Sequence, residues 1–166
     1  TTTDFGQLDF TFKHNFKLGA RSHIQTKVNA GIFIKNDKMA FTDFKHFTGN
    51  KLNYTTNDPA ESFRLLEFYK HSTNDKYLSA NVHYGFRKFL VSQIPAVWML
   101  GIRENVFVNY LYTPTSQNYF ELGYSVDKIF RFFRVEAVAS FQDGKYKDFG
   151  VLIGISTELS GSISIN

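Results

Sequence analysis

Histidines that lie near carboxylates are the first candidates for chemistry in this sequence. His46, in "FKHFTGN", and His71, in "FYKHSTND", share one long polar stretch with Asp43, Glu67 and Asp75. Imidazole and carboxylate groups together can bind a metal ion or exchange a proton with a substrate. The sequence has no HExxH motif or comparable spacing. We therefore interpret His46 and His71 as candidate loop contacts and predict no catalytic residue, no metal site and no cofactor.

A hydrolase site would need a Ser or Asp beside a His. Ser79 and His83 share one face of a strand-like segment, but four residues along a strand separate them by about 13 Å, too far for direct contact. The sequence contains no Cys, which excludes a disulfide framework, a thiolate metal site and a cysteine nucleophile. We expect a non-enzymatic protein. A hydrolase that uses His46 and His71, at the rim of the barrel predicted below, is the second alternative.

Charged residues on one face of the strand-like segments form the other set with chemical potential. Buried charges persist in proteins when they are paired and hydrogen-bonded. We therefore predict a network that pairs these charges across neighbouring strands, with a structural role first and a role in permeation second. The predicted network consists of Lys27, Arg87, Arg103, Glu121, Arg134 and Glu136.

The elements that position these side chains are strands. Alternation of apolar and polar residues with period two predicts an all-β, antiparallel fold with about seven strands, and helical periodicity is nearly absent. The 19 Phe and 9 Tyr residues suit a pleated, half-buried surface. A polar, turn-rich stretch at about 36–75 breaks the pattern and is predicted to be a long loop. The predicted strands are 5–17, 22–35, 76–87, 98–112, 119–127, 132–142 and 148–157.

Alternation fits both a soluble barrel with an apolar interior and a transmembrane β-barrel with an apolar exterior. Strands of about 10 residues favour the membrane, since strands in globular proteins average about 5 to 6. Short turns ("LGARS", "DKIFR") on one side and longer connections (36–75, "TPTSQN", "QDGKYKD") on the other favour it as well. We predict a transmembrane β-barrel, with a soluble β-barrel that binds an apolar ligand as the first alternative.

The apolar face of the strands is therefore predicted to face lipid. Aromatic residues near strand ends, such as Tyr110 and Tyr112 or Phe130 and Phe132, fit interfacial girdles, whereas Glu104 and His14 do not fit an apolar face. Arginine at Ala137 should block membrane assembly, and arginine at Ser140 should be tolerated. The predicted lipid-facing residues are Ile24, Val28, Ile32, Val106, Val108, Val135, Ala137, Ala139 and Ile153.

The number of strands carries a topological expectation. Bacterial single-chain barrels normally have an even number of strands. If the last of seven strands runs toward the periplasm, the first strand does so as well and therefore starts outside the cell. We expect residues 1–166 to be the C-terminal part of a larger barrel, with an extracellular loop at about 36–75; a hidden strand within 36–75 is the competing explanation. The net charge is +4, but the basic residues are scattered, so no nucleic-acid partner is predicted.

Five stretches also resemble a known family: "FKHFTGN", "LLEFYKHSTNDKYLSANVHYGF", "VNYLYT", "FELGYSVDKIFRFFRVEAVASF" and "GKYKDFGVLIGIS". They are similar to the C-terminal barrel of a Bacteroidota outer-membrane family, domain-of-unknown-function family 5686, whose members carry an N-terminal carboxypeptidase-regulatory-like domain. The resemblance implies a multi-pass β-barrel in the cell outer membrane. Its expected partners are outer-membrane lipid, lipopolysaccharide and other outer-membrane or surface proteins. The family has no established reaction, so the expected role is transport, envelope assembly or scaffolding of a surface complex.

Overall fold

The structure is a computed structural model that describes residues 4–19, 22–49, 54–55, 61–86 and 88–155. Eight strands and one five-residue helix, α1, make up its regular elements together with two 3-10 turns, at Phe41–Asp43 and Val91–Gln93. The elements in chain order are β1 (Asp4–Lys17), β2 (His23–Lys38), β3 (Tyr54–Thr55), β4 (Lys76–Phe86), α1 (Pro95–Met99), β5 (Arg103–Thr113), β6 (Gln117–Ile129), β7 (Phe133–Gln142) and β8 (Lys145–Ile155).

All eight strands belong to one sheet, in the order β1-β2-β4-β5-β6-β7-β8-β3. The seven long strands are antiparallel to their neighbours, and the two-residue β3 pairs in parallel with β8 at Ile153 and Gly154. Within the described residues β1 and β8 do not pair with each other, so the sheet is open. The predicted all-β fold with seven antiparallel strands is confirmed, whereas the chain described here does not close into a barrel.

The strand boundaries follow the sequence pattern with one clear exception. The predicted strand at 98–112 begins only at Arg103, because the preceding residues form the Val91–Gln93 turn and α1. Pro95 is suited to the first position of a helix, where its missing N–H is not needed. The Asp143–Gly144 turn between β7 and β8 has positive φ at both residues, as a tight hairpin turn requires.

The five connections quoted from the sequence lie at the predicted ends of the sheet, but their lengths do not divide between the two ends as expected. The long connection between β2 and β4 shares its end of the sheet with two tight turns, at 114–116 and 143–144. The opposite end carries the short turns at 18–22 and 130–132 but also the longer connection 87–102. Connection length therefore does not distinguish the two ends as cleanly as the sequence suggested.

The two faces of the sheet differ in composition and in burial. The apolar face is exposed: Phe10 is 64% exposed, Leu122 48% and Ile153 52%. The polar face is buried from β4 to β8, where Asn109 and Glu121 are 0% exposed. This arrangement is the reverse of a soluble sandwich or barrel, in which the apolar face forms the core.

Candidate functional site

The polar face is covered by a piece of the chain's own β2–β4 connection, residues 61–66, which we call the docked segment. The connection is held by backbone hydrogen bonds: Phe63 N–H donates to the Thr48 carbonyl (2.9 Å), and Phe33 N–H donates to the Asp75 carbonyl (2.7 Å). The docked segment has no regular secondary structure. Its position therefore depends on contacts with the sheet rather than on its own backbone pattern.

Apolar side chains of the docked segment fill two patches on the otherwise polar face. Phe63 and Leu66 form one buried cluster with Leu111 and Tyr119, and Leu65 packs against a second cluster of Phe107, Val138 and Leu152. Leu65 lies directly over Gly150, where an added Cβ would come within 2.6 Å of the leucine side chain. A larger residue at this position of β8 would require the Leu65 side chain to move.

A buried charged cluster lies beneath the docked segment. The Arg64 guanidinium contacts the Glu136 carboxylate through two nitrogens, Nε at 2.8 Å and Nη2 at 3.2 Å. On the other side of Glu136, Arg134 Nε lies 3.2 Å from Oε1. All three side chains are at most 2% exposed. Glu136 therefore balances two arginines, one from the sheet and one from the docked segment.

Glu121 holds the backbone of the docked segment. Its carboxylate accepts the N–H of Arg64 (2.8 Å) and of Leu65 (2.7 Å). It also accepts hydrogen bonds from Asn109 Nδ2 (3.0 Å) and the Tyr119 hydroxyl (2.8 Å). Four donors saturate this carboxylate, so its geometry is that of an anchor for a chain segment rather than of a general base.

The structure brings half of the predicted charge network together. Arg134 and Glu136 belong to the buried charged cluster, and Glu121 binds the backbone of the docked segment. Lys27 lies away from the buried charged cluster but reaches the docked segment, 3.9 Å from the Glu61 carboxylate. Arg103 is exposed at the start of β5, opposite Asp127 in the register, and Arg87 lies outside the described residues. The pairing of Glu121 and Glu136 with the connection, rather than only with neighbouring strands, was not anticipated.

The residue that sequence reasoning missed is Arg64. A signal for it existed: Phe107, Leu111, Val138 and Leu152 occupy polar-face positions in the alternation. Apolar residues on a polar face indicate that another part of the chain packs there. The connection with the apolar run "FRLL" was the available candidate.

The two candidate loop histidines make different contacts. His46 Nδ1 lies 2.7 Å from the Ser72 hydroxyl, and its ring packs edge-on against Tyr69. His71 is 2% exposed and packs on the Tyr119 ring. Burial lowers the pKa of His71 to about 4, and Lys147 and Lys70 act in the same direction. His71 is therefore neutral at pH 7, and its contacts are those of a packing residue.

A cavity of about 230 Å³ lies beside the docked segment, lined by residues that include Lys27, Asn29, His46, Tyr77 and Asn81. Its walls are polar side chains from β2 and β4 and part of the connection. In the described part of the chain, no group of three or more His, Asp or Glu side chains is placed to hold a metal ion. Nor is any helix among these residues long and apolar enough to cross a membrane.

The predicted lipid-facing residues all lie on the apolar face. Ile32, Val108, Val135 and Ile153 are exposed there, and the remaining five are partly exposed. His14, a misfit in the sequence, is on the same face with its ring between those of Phe12 and Phe16. The other misfit, Glu104, is enclosed by the β4–β5 connection.

These features define an all-β protein in which one antiparallel sheet buries its polar face beneath its own β2–β4 connection. Comparison with protein families matches residues 1–126 to the C-terminal domain of a family of unknown function, DUF5686. The chain belongs to this family. No curated protein and no solved structure is similar enough to match. The match includes β1 to β5 and most of β6, while β7, β8 and the stretch "GKYKDFGVLIGIS" lie beyond it.

Proposed function

We propose that this chain is the C-terminal part of a multi-pass β-barrel in the outer membrane of a bacterium, of the Bacteroidota type that its sequence resembles. The protein is non-enzymatic and acts in transport, envelope assembly or scaffolding of a surface complex. Its partners are membrane lipid, including lipopolysaccharide, and other outer-membrane or surface proteins.

The observation that carries this proposal is the exposure of the apolar face across seven strands. Soluble monomers rarely expose a continuous apolar patch of more than a few hundred Å². A face this wide needs a partner, and lipid is the partner that suits aliphatic and aromatic side chains without matching hydrogen bonds. A charged residue on such a face would cost about 2–4 kcal/mol at the middle of a bilayer.

Strand length and the placement of aromatic rings support the same proposal. The long strands contain from 10 residues in β7 to 16 in β2, and a tilted strand needs about 9–11 to cross the apolar core of a bilayer. One end of the apolar face carries Tyr110, Phe120, Phe141 and Tyr146, with Phe120 and Phe141 stacked 4.7 Å apart. The exposed Phe130 and Phe132 lie at the other end. Aromatic rings at both ends are typical of strands that cross two interfaces.

The alternatives from other classes fit the geometry less well. A soluble barrel with an apolar ligand inside needs its apolar face enclosed, whereas the polar face is the buried one here. A rim hydrolase would rest on the contact between His46 and Ser72, and in the described residues no carboxylate contacts His46 to orient it, as an activated serine requires.

The open sheet bears on the extent of the barrel. In the proposed protein the free edge of β1, and the edge of β8 of which β3 covers only two residues, pair with strands from a preceding part of the same barrel. Unpaired edges in a membrane would leave backbone groups without partners, at several kcal/mol each. We therefore propose a barrel with more strands than this chain supplies.

Arginine substitutions at adjacent residues of β1 test the proposal. Phe10 is on the apolar face and Thr11 on the polar face, and both are exposed. We expect Phe10→Arg, and likewise Ala137→Arg, to reduce the heat-modifiable, membrane-inserted fraction of the full protein in outer-membrane preparations severalfold, while Thr11→Arg leaves it near wild type.

Thr11 replaces Ser140 as the control because Ser140 is only 1% exposed. An arginine at 140 would overpack the buried face and unfold the protein for reasons unrelated to lipid. Equal tolerance of Phe10→Arg and Thr11→Arg, or full solubility of the protein without detergent, would contradict the proposal.

A further inference from the structure

The connection between β4 and β5 has an unusual composition for a loop. From Phe89 to Ile102 it contains no charged residue, and it is bounded by Arg87 and Lys88 on one side and Arg103 on the other. Its described part, 88–102, contains the Val91–Gln93 turn and α1. We call residues 88–102 the interface segment.

The interface segment is fastened to the sheet by Glu104, the carboxylate that violates the alternation of β5. In the register Glu104 lies between Phe86 and Val126, on the apolar face, yet it is only 1% exposed. Its carboxylate accepts hydrogen bonds from the Ser92 and Tyr124 hydroxyls. It also accepts four consecutive backbone N–H groups, those of Phe89 (3.2 Å), Leu90 (3.0 Å), Val91 (2.8 Å) and Ser92 (3.0 Å).

This arrangement gives hydrogen-bond partners to backbone N–H groups that water does not reach. Backbone N–H groups of an irregular segment bond to water at an ordinary protein surface, but in or near hydrocarbon each one without a partner costs several kcal/mol. Here one carboxylate satisfies four such groups and is itself shielded. Neither the charge nor these donors is left facing outward.

The outward surface of the interface segment is apolar. Leu90 is 62% exposed, Ile94 52%, Met99 81% and Leu100 68%. Phe89 joins this surface to the apolar face of the sheet, because its ring stacks on Phe86 at 4.3 Å and approaches Tyr124 at 6.2 Å. The segment therefore continues the apolar face at the strand ends.

We infer that the interface segment inserts into the headgroup–acyl boundary of the phospholipid leaflet at this end of the strands and anchors the sheet there, with Glu104 as the residue that holds it in place. The inference rests on the proposed membrane location. Phospholipid is the occupant because the apolar surface is continuous with the proposed lipid-facing face, and because the flanking cationic residues complement phosphate headgroups.

Spin labels at single cysteines test this inference, since the chain itself has no Cys. The full protein, with any cysteine outside residues 1–166 replaced by serine, is reconstituted in phosphatidylcholine–phosphatidylglycerol vesicles. Labels are placed at Met99→Cys, at Val108→Cys on the middle of the apolar face and at Thr115→Cys in the opposite turn. Accessibility to oxygen and to a water-soluble nickel complex then gives the depth of each label.

We expect the label at 108 in the acyl region, the label at 99 at the boundary and the label at 115 in water. A label at 108 in lipid with the label at 99 in water would overturn this inference and leave the proposed function standing. A label at 108 in water would overturn the proposed function. Strong spin–spin broadening at 99 would show that a second copy, not lipid, covers the segment, and would also overturn the inference.

Glu104→Gln tests the role assigned to the carboxylate. An amide offers one acceptor oxygen and adds donors opposite four existing N–H groups, so the label at 99 should become more mobile and more accessible to the nickel complex, while the label at 108 does not change. An unchanged label at 99 would contradict the role of Glu104 as the residue that fastens the segment.

Discussion

Glu136 is the residue on which the charge balance of the buried polar face depends. It lies between Arg64 and Arg134, and all three are almost completely buried. Removing one member of a buried ion pair leaves an uncompensated charge, whereas removing an exposed pair has little effect because water and salt screen it. The same substitution should therefore have very different consequences at Glu136 and at an exposed carboxylate.

Glu136→Gln is expected to lower the free energy of unfolding by about 3–5 kcal/mol, since two buried arginines share this carboxylate and Arg134 is left, among the described residues, with only Asp127, 3.8 Å away, as a carboxylate neighbour. Glu61→Gln is the matched control: Glu61 pairs with Lys13 at 2.8 Å, and both side chains are more than half exposed. Its loss should cost at most about 1 kcal/mol. Urea titration of the refolded protein measures both. Similar effects of the two substitutions would show that the buried cluster is not a determinant of stability.

His71 gives the connection a pH dependence. Its pKa falls to about 4 in the folded protein, against about 6.5 in an unfolded chain. Between these values the unfolded chain binds the proton that the folded chain excludes, so stability is fully present above about pH 6.5 and decreases as the pH falls toward 4. The cause is the burial of the imidazole against Tyr119.

We expect limited trypsin cleavage after Lys70 to accelerate as the pH is lowered from 6.5 to 4.5, after correction for the activity of the protease. His71→Phe keeps an aromatic ring against Tyr119 but cannot be protonated, so its cleavage rate should depend much less on pH. If the two proteins respond identically to pH, the protonation of His71 does not control the connection.

At the scale of elements, the docked segment is the part of the fold that tertiary contacts alone create. It has no repeating backbone pattern, and three of its side chains, Phe63, Leu65 and Leu66, contact apolar residues of β5 to β8. The strands, by contrast, follow the period-two alternation nearly residue by residue. The stability of the docked segment should therefore depend on single side chains far more than that of any strand.

Phe63→Ala should release the docked segment, because truncation of a buried phenylalanine typically costs about 3–5 kcal/mol. Phe68→Ala is the control in the same connection, since Phe68 is 55% exposed whereas Phe63 is 4% exposed. Hydrogen exchange at the Arg64 and Leu65 amides, which donate to Glu121, is the direct measurement. We expect faster exchange there in Phe63→Ala only, with β6 amides unchanged; equal protection in both variants would contradict this.

At the scale of the whole molecule, the proposed barrel would have its polar face toward the interior, and the docked segment would occupy that interior along β5 to β8. Replacing residues 61–66 of the full protein with six glycine and serine residues should raise single-channel conductance in planar bilayers. Replacing Phe41–Asp43, a 3-10 turn outside the docked segment, with glycine and serine residues should leave the conductance nearly unchanged. Unchanged conductance in the first variant would favour scaffolding over transport.

Much of this fold could be predicted from the sequence because strand formation is a local property. Side chains in a strand alternate between faces, so the apolar and polar sets could be assigned without knowing any partner. The assignment of Val135 and Ala137 to one face and of Arg134 and Glu136 to the other follows directly from this. The strand predicted at 98–112 starts too early because Trp98 to Leu100 continue the apolar run, whereas the structure places Pro95–Met99 in α1 and begins β5 at Arg103.

The sequence by itself determined the strands, the composition of the two faces and the family to which the chain is similar. Only the tertiary structure decided which polar groups meet. Arg64 and Glu136 are 72 residues apart, and nothing in the local pattern of either pairs them. Long-range contacts depend on how the β2–β4 connection crosses the sheet, and that path is set by side-chain packing of Phe63, Leu65 and Leu66 rather than by backbone periodicity.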